Sequence, residues 1–170
     1  MKKWTLVVLI FLIVVSCNQK SKKVSHSGQV FGTTYSIQFY SNEYSNLENE
    51  LDSIFYVINK SMSTYMVNSD ISKLNRNEDN EVDVHFRKVF EVSKKIYNET
   101  QGAFDPTIGA VVNAWDFGPE GGIVKLDSIK IDSLMMSVGL NKVLLEDNSI
   151  KKTNPNTYID FNAIAKGYAV

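Results

Sequence analysis

The strongest constraint on the fold is a pair of amphipathic segments set among short strand-like stretches. Apolar side chains recur at steps of three and four residues over Leu47–Met62 and again over about His85–Thr100. Ser45 and Glu48 have the spacing of a capping box before the first segment, and Gly102 stands where a helix terminator is expected after the second. This period predicts two helices, each with one face in a core.

Stretches with strand character lie on both sides of the helical segments. Residues 28–40 alternate apolar and polar side chains, which predicts one strand with Gly32 as a bulge. Further short strands are predicted at residues 142–146, 149–153 and 157–160. Because strands and helices mix without a regular βαβ repeat, the predicted fold class is α+β, with a mixed or antiparallel sheet and packed helices.

The first seventeen residues are typical of a bacterial lipoprotein signal. Lys2 and Lys3 precede a short apolar run at 6–15, and the single cysteine of the chain, Cys17, follows at the expected cleavage point. The run is short for a transmembrane helix. We therefore expect a signal peptide at 1–17, with lipidation of Cys17 anchoring the mature protein to a membrane. Residues 18–27 are polar and predict a tether, which leaves 28–170 as the folded part.

The charge balance argues against a nucleic-acid partner. The chain carries 18 Lys and Arg against 19 Asp and Glu, a formal net charge of −1. Such a balance demands no basic face of the kind that binds phosphate backbones. With Cys17 acylated, no cysteine remains for a disulfide.

The stretch AFDPT places a carboxylate where the backbone is constrained. Asp105 precedes Pro106, so the helical region is disfavoured for Asp105, while proline suits the first helical position. One interpretation makes Asp105 a helix N-cap. The other makes it a carboxylate, held beside Phe104, that hydrogen-bonds a planar heterocycle. Tyr65, in STYMVNSDIS, has a similar pair of interpretations as a solvated loop residue or a stacking face for a ring system.

The last stretch, DFNAIAKGYAV, predicts a helix that begins among small residues. Asn162 is interpreted as its N-cap and Ala163 as its first residue. Lys166 in the first turn runs against the helix dipole, which would be relieved if a phosphate shared that lysine and the free N–H groups. A solvated lysine on an ordinary amphipathic helix is the alternative.

Four segments together resemble the ApbE family of flavin transferases. They are VFGTTYSI, MSTY followed by SDISKLN, GAFDPTIGAVVNAWDFGP, and IDFNAIAKGYAV, in the family's order and approximate spacing. The resemblance covers 28–170 and implies an ApbE-like, T-fold-related domain. The chain departs from many members at Phe161–Asn162, where Leu-Gly or a similar pair is common.

The resemblance also implies a reaction and a site. Family members bind FAD and Mg²⁺ and transfer FMN to a threonine of an acceptor flavoprotein, releasing AMP. The positions that match FAD contacts are Phe31, Tyr65, Ala103, Phe104, Asp105 and Asp160. Ala163 matches a residue whose carbonyl ligates the metal, and Lys166, the expected catalytic residue, would lie near the diphosphate.

Family members continue past the AKGYAV helix and take further metal ligands, an aspartate and a threonine, from that later part. The sequence is therefore expected to be the N-terminal part of such an enzyme, inactive by itself, in the bacterial cell envelope and facing the periplasm or the exterior. Three alternatives stay open: a lipoprotein that holds FAD without transferring it, a pyrophosphatase that hydrolyses FAD to FMN and AMP, and a structural lipoprotein without a ligand.

Overall fold

The computed structural model describes residues 21–42 and 46–170. It divides into a first compact unit that ends at Asn49 and a second that runs from Glu50 to Val170. The targeting segment with Cys17, and Ser45 of the predicted capping box, lie outside the described residues.

Residues 21–42 of the first unit form a β-hairpin. Strand β1 (Lys22–Val30) pairs antiparallel with β2 (Thr33–Ser41), in a register that runs from Lys22 opposite Ser41 to Val30 opposite Thr33. Phe31 and Gly32 form the turn with φ of 53° and 70°. Two positive φ values are those of a two-residue type I′ turn, whose twist suits a hairpin.

This hairpin corrects two sequence predictions. The single strand over 28–40 is wrong, because Gly32 is not a bulge but the second turn residue between two strands. Lys22–Ser27, assigned to the tether, form the first two-thirds of β1, so regular structure begins before Gly28. Their polar and charged side chains are compatible with a strand because one face of this hairpin is exposed.

The second unit is mainly helical. Its helices are α1 (Glu48–Met62, beginning at the unit boundary), α2 (Asp70–Asn75), α3 (Val84–Glu99), α4 (Gly109–Ala114), α5 (Ser128–Met135) and α6 (Ala165–Ala169). A 3₁₀ turn at Leu140–Lys142 leads into an antiparallel hairpin of β3 (Val143–Glu146) and β4 (Ser149–Lys152). Both long helices are confirmed, and α3 lies within one residue of its predicted bounds. The α+β class is confirmed as well. No helix in the described part is both long and apolar enough to span a membrane.

The core of the second unit anchors the C-terminal segment. Phe86 of α3 and Phe161 are both 0% exposed, and their rings meet edge to face with centroids 4.9 Å apart. Other fully buried side chains are Met62, Ile71, Leu74, Val89, Ile150 and Ile159. Burial of Ile159 and Phe161 fixes the backbone on both sides of Asp160.

The strand predicted at 157–160 is wrong. The segment is extended, but its ladder is limited to one parallel bridge, between Ile108 and Tyr158. Its neighbour on that edge is the loop before α4, which stays beside it only briefly. The sequence pattern predicts an extended backbone with buried side chains. It does not show how many residues of a neighbouring segment pair with it.

Candidate functional site

The segment Tyr158–Asp160 is the point where the sequence motifs meet. On one edge, the Asp160 N–H donates to the Pro106 carbonyl at 2.8 Å, and the Gly109 N–H donates to the Tyr158 carbonyl at 3.2 Å. A Cβ on Gly109 would lie 2.5 Å from Cδ1 of Tyr158. Glycine is needed there because the two backbones approach so closely. The FDPT and IDFN motifs are thus joined directly.

The other edge of the segment is held by one side chain. Asn75, the last residue of α2, donates from Nδ2 to the Ile159 carbonyl at 2.8 Å and accepts the Ile159 N–H on Oδ1, also at 2.8 Å. The SDISKLN motif therefore reaches the same three residues as FDPT, across 84 positions of sequence.

Asp105 holds a tight turn. Its Oδ1 accepts the backbone N–H of Thr107 at 2.8 Å and the Thr107 hydroxyl at 2.6 Å. The same hydroxyl oxygen accepts the Gly139 N–H at 2.7 Å. The N-cap interpretation of Asp105 is wrong, because α4 begins at Gly109, after Ile108, with no side-chain cap. The Asp105 carboxylate accepts hydrogen bonds from Thr107, two residues later, and does not cap a helix.

Asp160 repeats this arrangement. Its Oδ1 accepts the Asn162 backbone N–H at 2.6 Å, and its Oδ2 accepts from Asn162 Nδ2 at 3.1 Å. Burial raises the pKa of this carboxyl, and the two bonds from Asn162 oppose that shift. The prediction that Asn162 caps a helix from Ala163 is wrong, since α6 begins at Ala165. The Asn162 side chain is directed to Asp160 instead.

The MSTY motif borders the same site. Asn162 Nδ2 also lies 3.4 Å from the Thr64 hydroxyl oxygen. The next residue, Tyr65, is 62% exposed, and its hydroxyl donates to the Phe117 carbonyl at 3.2 Å. That bond ties MSTY to the apolar loop after α4, where Trp115 and Phe117 are 54% and 74% exposed. Exposed aromatic side chains therefore lie on the loop to which Tyr65 is bonded.

Ala163 and Lys166 are both exposed, Ala163 in the turn before α6 and Lys166 as its second residue. Because α6 has only five residues, its dipole is too weak for the predicted unfavourable interaction with the Lys166 ammonium. Tyr168 links α6 to α3, since its hydroxyl lies 2.8 Å from Nδ1 of His85.

The remaining predicted contacts differ in setting. Ala103 is exposed and Phe104 half-buried, and the Phe104 N–H donates to the Thr100 hydroxyl at 3.1 Å. Both directly precede Asp105. Phe31 belongs to the first unit, in the hairpin turn, with its ring partly exposed. The site of the second unit thus gathers Tyr65, Ala103–Asp105, Asp160, Ala163 and Lys166 onto neighbouring segments.

Within residues 21–42 and 46–170, no group of three or more His, Cys, Asp or Glu side chains could hold a metal ion. Hard oxygen donors of the kind that Mg²⁺ prefers are present, namely the Asp160 carboxylate and, three residues later, the Ala163 carbonyl in an exposed turn. These donors suit such an ion in kind but do not make a full ligand set.

Sequence reasoning missed Asn75 and Thr107. Asn75 is the last residue of SDISKLN, yet nothing in the spacing of that motif indicates that its side chain pairs with Ile159. Thr107 is 0% exposed and follows Asp105 by two residues. The Asp-x-Thr spacing, which suits a side-chain turn, was the available signal.

Comparisons with known proteins point to one family. The model of the ApbE family matches residues 31–170. An FAD:protein FMN transferase of Vibrio cholerae is 30% identical over 179 residues, covering 100% of this chain and 53% of the relative. That of Haemophilus influenzae is 31% identical, with 96% of this chain and 51% of the relative covered.

Solved structures give the same result. The flavin transferase ApbE from Vibrio cholerae superposes with a TM-score of 0.82 at 30% identity, over 88% of this chain and 51% of that one. The apo form of the Pseudomonas stutzeri flavinyl transferase ApbE gives 0.80 at 26% identity, over 89% and 53%. The chain spans about half the length of the curated relatives it matches.

Proposed function

Because the chain belongs to the ApbE family, we propose that it carries the FAD-binding part of an FAD:protein FMN transferase. The reaction moves FMN from FAD to a threonine hydroxyl of an acceptor flavoprotein and releases AMP. The observation that supports this most is the convergence of Asn75, the Asp105 turn and the Asp160 turn on Tyr158–Asp160.

The two aspartates are proposed to hold the donor groups of FAD. An ionised carboxylate can only accept hydrogen bonds, so Asp105 and Asp160 suit ring N–H or hydroxyl groups rather than phosphates. Each is oriented by a bond to the N–H two residues on. A carboxylate offers about four lone-pair sites, which leaves acceptor capacity for a ligand.

Lys166 and Tyr65 are proposed to complete the contacts. The exposed ammonium of Lys166 would neutralise charge on the diphosphate, and the exposed ring of Tyr65 offers a stacking face. In phosphoryl transfer the protein mainly positions groups and offsets charge. The carbonyl of Ala163 is the oxygen that would be offered to Mg²⁺. When bound, this ion would polarise the pyrophosphate as a Lewis acid.

In this proposal the acceptor threonine attacks the phosphorus on the FMN side. Its O–P bond forms as the bond from that phosphorus to the AMP oxygen breaks, the hydroxyl proton passes to solvent, and AMP leaves. Positioning by the turns at Asp105 and Asp160 would place the diphosphate for this in-line exchange.

The test uses the product of the complete reading frame, with the 170-residue chain in parallel. Each is incubated with FAD, Mg²⁺ and a flavoprotein domain that carries an acceptor threonine. With the product of the complete reading frame we expect covalent FMN fluorescence on the domain and an equal amount of AMP, both lost with Asp160→Asn; with the 170-residue chain we expect neither. Asp132→Asn, an exposed aspartate on α5, should behave as wild type. AMP release without labelling would indicate a pyrophosphatase, and FAD binding without AMP would indicate a carrier; either result contradicts the proposal.

We also propose that Cys17 anchors the mature protein to a membrane of the cell envelope. The support is the charged start, the short apolar run and the position of Cys17 directly after it. Metabolic labelling with a fatty acid should mark the wild type and not Cys17→Ala. A wild type that stays unlabelled contradicts the anchor.

A further inference from the structure

We infer that Asn75 is a positioning residue, whose side chain takes the place of a strand neighbour for Ile159 and thereby fixes the direction of Asp160. The inference rests on the proposed function, since it assigns Asn75 a part in FAD binding through Asp160.

The backbone pattern of Tyr158–Asp160 supports it. In an extended chain, consecutive residues present their N–H and C=O groups to opposite edges. The Tyr158 carbonyl accepts from Gly109, the first residue of α4, and the Asp160 N–H donates to Pro106 in the loop before it. Both groups of Ile159 face the other edge, and one carboxamide satisfies both at 2.8 Å.

The chemistry of this pairing selects asparagine. A carboxamide has an acceptor and a donor side by side, so it can replace the C=O and N–H of a neighbouring strand. Aspartate at position 75 would keep the acceptor for the Ile159 N–H but would set a carboxylate against the Ile159 carbonyl. Alanine would leave both groups of a residue that is 0% exposed without these partners.

Asn75 is itself held firmly. It ends α2, in which Ile71 and Leu74 are 0% and 2% exposed. Its carbonyl accepts from Nζ of Lys152 at 3.3 Å, and the same ammonium donates to the Thr157 carbonyl at 3.1 Å. The end of α2 is thus fixed at two points: the Asn75 side chain binds Ile159, and Lys152 joins the Asn75 carbonyl to that of Thr157, directly before Tyr158.

The consequence reaches Asp160 because side chains alternate along an extended chain. Ile159 is directed into the core and Asp160 to the opposite face. Without Asn75, the Asp160 N–H bond to Pro106 remains, but the segment is then held on one edge only. We expect it to rotate and to misdirect the carboxylate.

The first test is a double-mutant cycle on FAD binding, measured by quenching of flavin fluorescence with the product of the complete reading frame. Asn75→Ala should raise the dissociation constant about tenfold in the wild type and less than twofold in an Asp160→Asn background, because coupled residues are non-additive. The matched control is Asn77→Ala, an exposed amide that donates to Pro155 at 3.2 Å. It should change affinity less than twofold in both backgrounds. Equal losses from Asn75→Ala in both backgrounds would overturn the inference.

The second test needs no FAD and separates this inference from the proposed function. In ligand-free protein, the amide proton of Asn162 reports its 2.6 Å bond to Asp160 by NMR. Asn75→Ala should shift this signal, and Asn77→Ala should not. If Asn75→Ala does not fold, Asn75→Asp takes its place with the same expectation. A wild type without FAD affinity would refute the proposed function alone, whereas an unmoved Asn162 signal would refute the role of Asn75.

Discussion

Asp83 and Asp160 are both aspartates that accept backbone N–H groups, but they serve different parts of the molecule. Asp83 accepts from Phe86 at 2.8 Å, three residues on, and begins the sixteen-residue helix α3. Asp160 accepts from Asn162, two residues on, in front of the five-residue α6, which has no side-chain cap.

The contacts of these aspartates indicate their different roles. The Asp83 carboxylate is bound to a helix end and to the Ser61 hydroxyl at 2.7 Å, both within the scaffold. The Asp105 and Asp160 carboxylates are instead held in turns, on two segments that the bond from the Asp160 N–H to the Pro106 carbonyl joins. We interpret the first kind as stabilising the fold and the second kind as serving the ligand. The following predictions separate the two roles.

The largest expected effect is that of Gly109→Ala. The new Cβ would lie 2.5 Å from the Tyr158 ring and 3.0 Å from the Tyr158 carbonyl, so the two segments must separate. We expect a loss of about 3 kcal/mol in the free energy of unfolding, measured by urea denaturation. Gly167→Ala, where nothing lies within 4 Å of the added Cβ, is the control and should change stability little. Equal effects would show that the approach at Gly109 is not tight.

Asp83→Ala should rank next. It removes the cap of α3 and the acceptor for Ser61, which is 0% exposed. Caps are worth up to about 2 kcal/mol, and we expect a loss near that value in urea denaturation. Asp127→Ala removes a cap from α5, which has no buried residues, and should cost about half as much. The assignment of Asp83 to the scaffold fails if Asp127→Ala costs more.

The smallest expected effect is the pH dependence of Asp160→Asn. Burial raises the pKa of Asp160 above its ordinary value, so the folded state favours the protonated carboxyl. That stabilisation is complete below the unfolded pKa and is lost as pH rises through the folded pKa. The wild type should therefore lose stability relative to Asp160→Asn as the pH rises from 3 to 8. A relative gain over this range would mean that the bonds from Asn162 outweigh burial.

The sequence predicted the parts of the fold that are specified locally. The bounds of α3 follow from its apolar period and fall within one residue, although Gln101 at φ 53°, not Gly102, directly follows the C-cap Thr100. The turn at Phe31 was missed because a phenylalanine at φ 53° is uncommon, so one alternating strand was the simpler interpretation.

For the candidate site, the sequence supplied a prediction of residues but no geometry. Asp105 and Asp160 were named through the family resemblance, and the structure places their segments side by side. The helix-cap interpretations of Asp105 and Asn162 failed, because a cap and a two-residue side-chain turn use the same residue types. Asn75 could not be found, since its partner lies 84 residues away and no local pattern records that contact.

The most direct test of this account is the affinity of FAD for three alanine variants of the complete protein, measured by isothermal titration under conditions where all are folded. Asp105→Ala and Asp160→Ala each remove a charge-assisted hydrogen bond worth about 1.5–3 kcal/mol, so their dissociation constants should rise at least tenfold. Asp83→Ala should bind FAD as the wild type does. If Asp83→Ala weakens binding while Asp105→Ala and Asp160→Ala leave it unchanged, the division between scaffold and ligand carboxylates is contradicted.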